Sequence, residues 1–274
     1  MTQMTQMTHP THPTYAGLPG DTTMPVDPVD PLGGDLVGLL RTLKLSGMKD
    51  TLPQRLTLAK TRQLSHHQFL EQILTDEVAR RENRSAATRA TRAGLIPRMR
   101  IETWTEPTDL VYDRAAFADL TALRFLDAGQ SAIILGPVGV GKTHLATALG
   151  HMAIRRRHSV LFARSDKLFT RLRAARLDHT LDVEFRRLAR LDLLIIDDFA
   201  LKTLDPLTTN DFYELTVERH ARAASTIITS NRDPAEWLAM TSDQLLAQAA
   251  VDRLTGHAHT LILNGPSYRQ RHPA

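Results

Sequence analysis

Three short stretches place chemistry-bearing side chains where apolar runs stop. Gly136-Pro137-Val138-Gly139-Val140-Gly141-Lys142-Thr143 follows the apolar run Ala132–Leu135 and opens a helix expected after Gly141. The spacing G-x-x-x-x-G-K-T between strand and helix suits a phosphate. Glycines let backbone N–H groups curl around phosphate oxygens, and the helix N-terminus adds partial positive charge. Lys142 then reaches the terminal phosphates and Thr143 supplies a hydroxyl for magnesium. Gly136, Pro137, Val138, Gly139, Val140, Gly141, Lys142, Thr143 and His144 form the expected nucleotide cradle. The second stretch, Leu193-Leu194-Ile195-Ile196-Asp197-Asp198, is a buried-strand pattern ending in two acids. A carboxylate at the end of a neighbouring strand can face magnesium, and a second one can orient an attacking water. Asp197 is the expected magnesium ligand beside Thr143, and Asp198 the expected water-activating group. The third stretch, Thr226-Ile227-Ile228-Thr229-Ser230-Asn231, ends in an amide that can hold the water or sense the terminal phosphate, or else serve as a turn residue. The residues after it, Arg232-Asp233-Pro234, do not complete the N-K-x-D pattern that reads guanine.

These stretches need a folded frame, and composition permits one. Of 274 residues, 42% are apolar and 23% charged, near the usual globular values. No apolar run approaches the roughly 18 residues that a membrane span needs. No Lys or Arg precedes Arg41 and no continuous apolar stretch lies near the start, so no secretory signal is expected and the reading is cytoplasmic. The chain has no cysteine, which excludes disulfides, thiolate metal sites and cysteine nucleophiles. The histidine pairs His66-His67 and His257/His259 show no third metal ligand. The net charge is only +4, yet nearly all the positive charge is arginine, the side chain suited to forked contact with phosphate.

Residues 1–34 have the Pro, Asp, Gly and Thr-rich composition of a tail unable to bury enough surface to order itself. Residues 35–105 read as a small helical domain. Leu36, Leu39, Leu40 and Leu43 recur at helical spacing, then Leu52, Leu56 and Ala59 follow a break at Gly47 and Pro53. Ser65 with Gln68 is a capping box, starting a helix whose apolar stripe is Phe69, Ile73, Leu74 and Val78. That helix ends in a basic run, where Arg80, Arg81, Arg84, Arg89, Arg92, Arg98 and Arg100 face only Glu82; it is either a solvated face or a phosphate-tracking patch. A polar stretch over 104–109 reads as the linker. Residues 106–274 then alternate strands and helices, which implies an α/β domain with a parallel sheet covered on both faces. Asp205-Pro206 and Asp233-Pro234, the latter with Glu236, mark two helix starts.

The combination GPVGVGKTHLA, LLIIDDF, IITSNRDPAEW, AAVDRL and Ser267-Tyr268-Arg269 resembles the AAA+ ATPases of the IstB family, which assist insertion-sequence transposases, and is similar to the related helicase loader DnaC. LLRTLKLSGMKDTLPQRL and FLEQILTDEVARRENR resemble the IstB helical domain, so the likeness spans 36–269. It implies a P-loop NTPase of the AAA+, ASCE type: a three-layer parallel sheet with the Asn231 strand between those of Lys142 and Asp197. It also implies ATP and Mg2+ at the interfaces of a homo-oligomer, with Arg253 as the finger reaching a neighbouring subunit's nucleotide. Asp198 stands where most AAA+ proteins have Glu, which points to slow hydrolysis, although IstB-like and DnaC-like proteins often share this Asp. No helical lid follows the last strand, and Arg269 is at best a partial substitute for the lid arginine. By the same likeness, Lys167, Arg171, Arg173, Arg176, Arg186, Arg187 and Arg190 are the expected DNA contacts. Few aromatics interleave them, so backbone contact with weak sequence preference is expected. The expected function is ATP-dependent, sequence-tolerant binding of duplex DNA that recruits an IstA-like transposase. The alternatives are a loader acting on single strands and a small-molecule phosphotransferase, which would need an acceptor pocket and lid not visible in the sequence.

Overall fold

The computed structural model describes residues 32–107 and 109–268. Nearly all of the expected N-terminal tail, and Arg269, therefore lie outside the described residues. The chain divides into two compact units, the first ending at Ala79 and the second starting at Arg80.

In the first unit, α1 (Gly34–Thr42), α2 (Leu52–Arg62) and the beginning of α3 (His66–Arg92) surround a small core of Leu40, Met48, Leu52 and Ile73, with Leu56 and Phe69 packed against it. Pro53 sits in the first turn of α2, where its missing N–H leaves nothing unpaired. The capping box forms: Ser65 N donates to Gln68 Oε1 at 3.0 Å, and Gln68 N to Ser65 Oγ at 3.3 Å. Arg55 forks onto Asp76 at 2.6 and 2.9 Å, tying α2 to α3. The expected stripes bury only in part, since Leu36, Leu39, Leu43, Leu74 and Val78 are exposed.

The second unit takes in the remainder of α3, then α4 (Arg114–Ala122), α5 (Arg124–Asp127), β1 (Ala132–Leu135), α6 (Lys142–Arg155), β2 (Val160–Arg164), α7 (Ser165–Leu177), α8 (Leu181–Ala189), β3 (Leu193–Asp197), α9 (Pro206–Ala221), β4 (Ser225–Ser230), α10 (Pro234–Ala239), α11 (Gln244–Thr255) and β5 (His259–Ile262). The boundary expected near residue 105 does not coincide with this division. Ala90, Ala93 and Leu95 bury in the same core as α6, and Phe162 N donates to Ala93 O at 2.7 Å, so chain before residue 105 is built into the second unit.

All sheet pairings are parallel, in the order β2-β3-β4-β1-β5. Side chains alternate between the faces as the period of two requires. Ala132, Ile134, Leu193, Ile195 and Ile227 pack with Leu145 and Leu149 of α6. Ile133, Leu135, Leu194, Ile196 and Ile228 pack on the other side with Leu168, Leu172, Phe212, Leu215, Trp237 and Leu254. β1 and the Leu193-Leu194-Ile195-Ile196 run of β3 are wholly apolar and buried, as a strand covered on both faces must be. Both anticipated helix starts form: Asp205 Oδ1 accepts from Thr208 N at 2.8 Å, and Asp233 and Glu236 make a reciprocal box. This places β4 between β1 and β3, as the resemblance implied, and brings the ends of those three strands together.

Candidate functional site

The turn leaving β1 is one that side chains would spoil. Gly136, Gly139 and Gly141 have φ of 147°, 82° and 112°, a region that favours glycine. A Cβ at Gly136 would run into Leu263 O, and one at Gly141 would lie 2.7 Å from the Trp104 ring. Lys142 opens α6 and is buried, its Nζ donating to Gly136 O at 2.7 Å and Pro137 O at 2.9 Å. The loop thus curls around an ammonium group at a helix N-terminus, the arrangement that receives phosphate oxygens.

Thr143, the next residue, turns its hydroxyl to the end of β3, donating to Asp197 Oδ1 at 2.9 Å. Asp197 is 3% exposed, and Thr229 Oγ1 of β4 donates to the same oxygen at 2.6 Å. Burial pushes the Asp197 carboxyl up; the Thr229 and Thr143 hydroxyls oppose this and the neighbouring Asp198 charge adds to it. A buried carboxylate with hydroxyls as partners, beside a phosphate loop, is a donor set that fits a hard divalent cation. Magnesium is commonly held by one or two carboxylates plus substrate phosphates, so a single buried acid suffices.

Asp198 has φ of 55°, off the strand path, and its N–H donates to Thr229 Oγ1 at 3.0 Å. Its carboxylate is turned toward Arg164, at 3.7 Å. Asn231 is exposed and follows directly on β4, between the strands of the loop and of the acids. Lys142, Thr143, Asp197, Asp198 and Asn231 are thus gathered at the C-terminal ends of β1, β3 and β4. His144 points elsewhere: its Nε2 pairs with Arg100 O at 2.9 Å and its ring meets Trp104 edge-on at 5.3 Å.

Sequence reasoning assigned no role at this site to Thr229, Trp104, Ser267 or Tyr268. Thr229 ties both acids together, and the buried hydroxyl residues of β4 do not by themselves say which of them meets an acid. Trp104, read as linker, covers Gly141 and carries a buried Nε1 without a hydrogen-bond partner. Ser267 and Tyr268 close on the loop from the other end of the chain, Tyr268 N donating to Gly139 O at 3.0 Å. Contacts this distant in sequence leave no local signal.

Arg253 is not at this site. It lies on α11, its Nη1 donating to Ala249 O at 2.6 Å and its guanidinium 5.8 Å from the Tyr213 ring centre. With Ser131, Thr226, Arg219 and His257 it lines a cleft of about 280 Å³ at the N-terminal ends of β1 and β4, opposite the phosphate loop.

Four of the seven expected DNA contacts are engaged within the chain. Arg171 and Arg187 both grip Glu184, each at 2.8 Å, and the Arg187 hydrogen bond holds the Glu184 carboxyl below its usual range despite its burial. Arg173 pairs with Asp205, and also donates to Thr208 at 2.8 Å. Arg176 pairs with the buried Asp211 at 2.5 Å. Lys167, Arg186 and Arg190 are exposed. No helix among the described residues is long and apolar enough to cross a membrane.

The sequence profile of the IstB-like ATP binding protein family matches residues 38–274. An insertion-sequence protein of Mycobacterium tuberculosis, named for ATP binding, is 39% identical over 232 residues, covering 85% of this chain and 92% of its own. The corresponding protein of insertion sequence IS21 from Pseudomonas aeruginosa is 33% identical over 235 residues, 86% of this chain and 88% of its own. Among solved structures, the replication initiator DnaA bound to AMPPCP and single-stranded DNA aligns with a TM-score of 0.51 at 22% identity, over 61% of this chain and half of that one. The DnaC helicase loader aligns at 0.50 and 21%, over 61% of this chain and 99% of that one. At these identities the structural likeness establishes a shared P-loop AAA+ fold.

Proposed function

The chain belongs to the IstB-like ATP-binding protein family, and from that premise we propose that it is a magnesium-dependent ATPase that assembles on duplex DNA and recruits the transposase of its insertion sequence. The observation that carries the reading is the contact of Thr143 with Asp197 beside the Lys142 loop, because it joins a phosphate cradle to a buried carboxylate.

In this reading, the backbone N–H groups of 138–141 and the Lys142 ammonium hold the β- and γ-phosphates. Thr143 and Asp197 are the protein ligands of the metal, with Thr229 orienting the carboxylate. Magnesium, when bound, neutralises charge between the phosphates. Asp198 accepts the proton of the attacking water, with Asn231 holding that water in line. The shorter Asp in place of Glu, and the hold of Arg164 on it, keep hydrolysis slow.

Arg253 completes the site of a neighbouring copy, neutralising charge that develops on the transferred phosphoryl group. Its position at the far ends of the strands supports an interface role, since a head-to-tail contact brings one end of the sheet against the other end in the next copy. ATP thereby couples to assembly. Lys167, Arg186 and Arg190 face the DNA backbone, giving contact without base readout.

The test is fluorescence anisotropy of labelled duplex and single-stranded DNA with ATP, ADP or no nucleotide, using Lys142→Ala as control. Duplex binding promoted by ATP, and abolished in Lys142→Ala, is the expected result. Equal duplex binding by the variant would overturn the reading, and a preference for single strands would favour a helicase loader.

A further inference from the structure

The basic run at the end of α3 has no part in the site described above. Within the second unit, this part of α3 and the C-terminal end of α6 enclose a cleft of about 480 Å³ lined by Glu82, Asn83, Ser85, Arg89, Arg155 and Arg157, with Ala86. Arg89 spreads across its floor, Nη1 donating to Ser85 Oγ at 2.7 Å and Nη2 to Ile154 O at 3.0 Å. The third nitrogen, Nε, is buried without a hydrogen-bond partner. Buried donors are nearly always paired, so this one stands out within the cluster.

The acids nearby do not lock this cluster. Arg157 pairs with Glu82 and Arg155 with Glu102, each at 2.8 Å, but both pairs are exposed, Arg157 and Glu82 at 78% and 59%. Exposed pairs of this kind are weak and are readily exchanged for another anion. Each guanidinium carries five N–H donors, and these ion pairs engage few of them. Arg92, one helical turn beyond Arg89, and Arg98 extend the positive surface, both exposed. The contrast with α7 and α8 is in the partners: there Arg176 is held by an acid that is 1% exposed and Arg171 and Arg187 by one that is 11% exposed.

We propose that this cleft binds the phosphodiester backbone of duplex DNA. Forked guanidiniums match phosphate oxygens bidentately. Ser85 and Asn83 add neutral donors of the type that fix register on a backbone. The assignment rests on the duplex-binding reading above and adds a second surface to it.

The experiment measures duplex anisotropy across salt concentrations for the full chain and for Arg155→Ala/Arg157→Ala, with binding of a fluorescent ATP analogue as the check on folding. The expected result is a uniform weakening of at least about 10-fold on unrelated sequences. The slope of log affinity against log salt should fall by about 2, one unit for each phosphate that an arginine no longer neutralises. Arg155→Lys/Arg157→Lys, which keeps the charge, should retain most of the slope. A double alanine variant with wild-type affinity and slope would overturn the cleft while leaving duplex binding intact. A lower affinity at unchanged slope would overturn it too, since the arginines would then act through the fold. A wild-type protein that binds no duplex would sink the underlying reading and this site together.

Discussion

The Thr229 hydroxyl donates to Asp197 Oδ1 at 2.6 Å, and this bond decides where the buried carboxylate of β3 points. The hydroxyl oxygen in turn accepts from Asp198 N at 3.0 Å, so one side chain on β4 fixes both acids at the end of β3. Thr229→Val keeps the shape and removes the hydroxyl. ATP hydrolysis should fall about 10-fold or more, the scale of misplacing a catalytic group by a fraction of an ångström. Affinity for the ATP analogue should change far less, because Lys142 and the loop are untouched. Thr229→Ser should restore turnover, and a valine variant with normal kcat would remove Thr229 from the mechanism.

Arg253 gives a mixing experiment. Arg253→Ala should bind ATP normally yet hydrolyse it about 1000-fold more slowly when assembled, the lower range for removal of an arginine finger. Lys142→Ala keeps its Arg253 but lacks a working loop. Mixing the two inactive proteins should recover activity at interfaces pairing an intact loop with an intact arginine. Failure of every mixing ratio to recover activity would place Arg253 outside the site.

Glu184 carries a pH-dependent contribution to stability. Its carboxyl is held below the ordinary value of 4.5 chiefly by Arg187, with Arg171 adding to it. A depressed carboxylate stabilises the fold above its unfolded pKa, and the contribution disappears as pH falls through the folded one. Glu184→Gln should lower stability by about 1 kcal/mol at neutral pH, a figure reduced for the exposure of both arginines. Urea melts should show the gap closing as pH drops below about 4.5. A gap that stays constant into acid would mean that packing, not charge, explains the destabilisation.

Arg219 is 2% exposed with no carboxylate among its hydrogen-bond partners. Its guanidinium instead collects the carbonyls of Leu188, Leu191 and Ser225 and the Thr226 hydroxyl, pinning the starts of β3 and β4. Arg219→Met keeps the stem and strands those acceptors. A destabilisation of about 2–4 kcal/mol is expected in chemical denaturation, since several buried acceptors go unpaired at once. Wild-type stability in this variant would show that water satisfies them.

Much of the site was legible because its signals are local. The glycine spacing around Lys142, the apolar run before Asp197 and the end of β4 at Asn231 are properties of short segments, and so are the caps at Asp205 and Asp233. The ion pairs of Arg171, Arg173, Arg176 and Arg187 were not legible. Their acids lie on α8 and α9 or at the start of α9, and a run of arginines in sequence does not say which are already neutralised. The division into units lies away from residue 105 for a related reason. A proline-containing stretch marks where regular structure stops, whereas a unit boundary depends on where buried side chains find partners, and Ala90, Ala93 and Leu95 find theirs beyond it.

By itself, then, the sequence determined the phosphate loop, the acid-ending strand and the alternation that makes a parallel sheet, because backbone freedom at glycine and the periodicity of burial act over a few residues. Tertiary structure alone decided that Thr229 orients Asp197, that Trp104 and Ser267 close on the loop, and that Arg253 lies at the opposite end of the sheet from that loop. Those outcomes depend on strand order and on the meeting of distant segments, where a hydrogen bond of 2.6 Å forms only after the whole sheet has assembled.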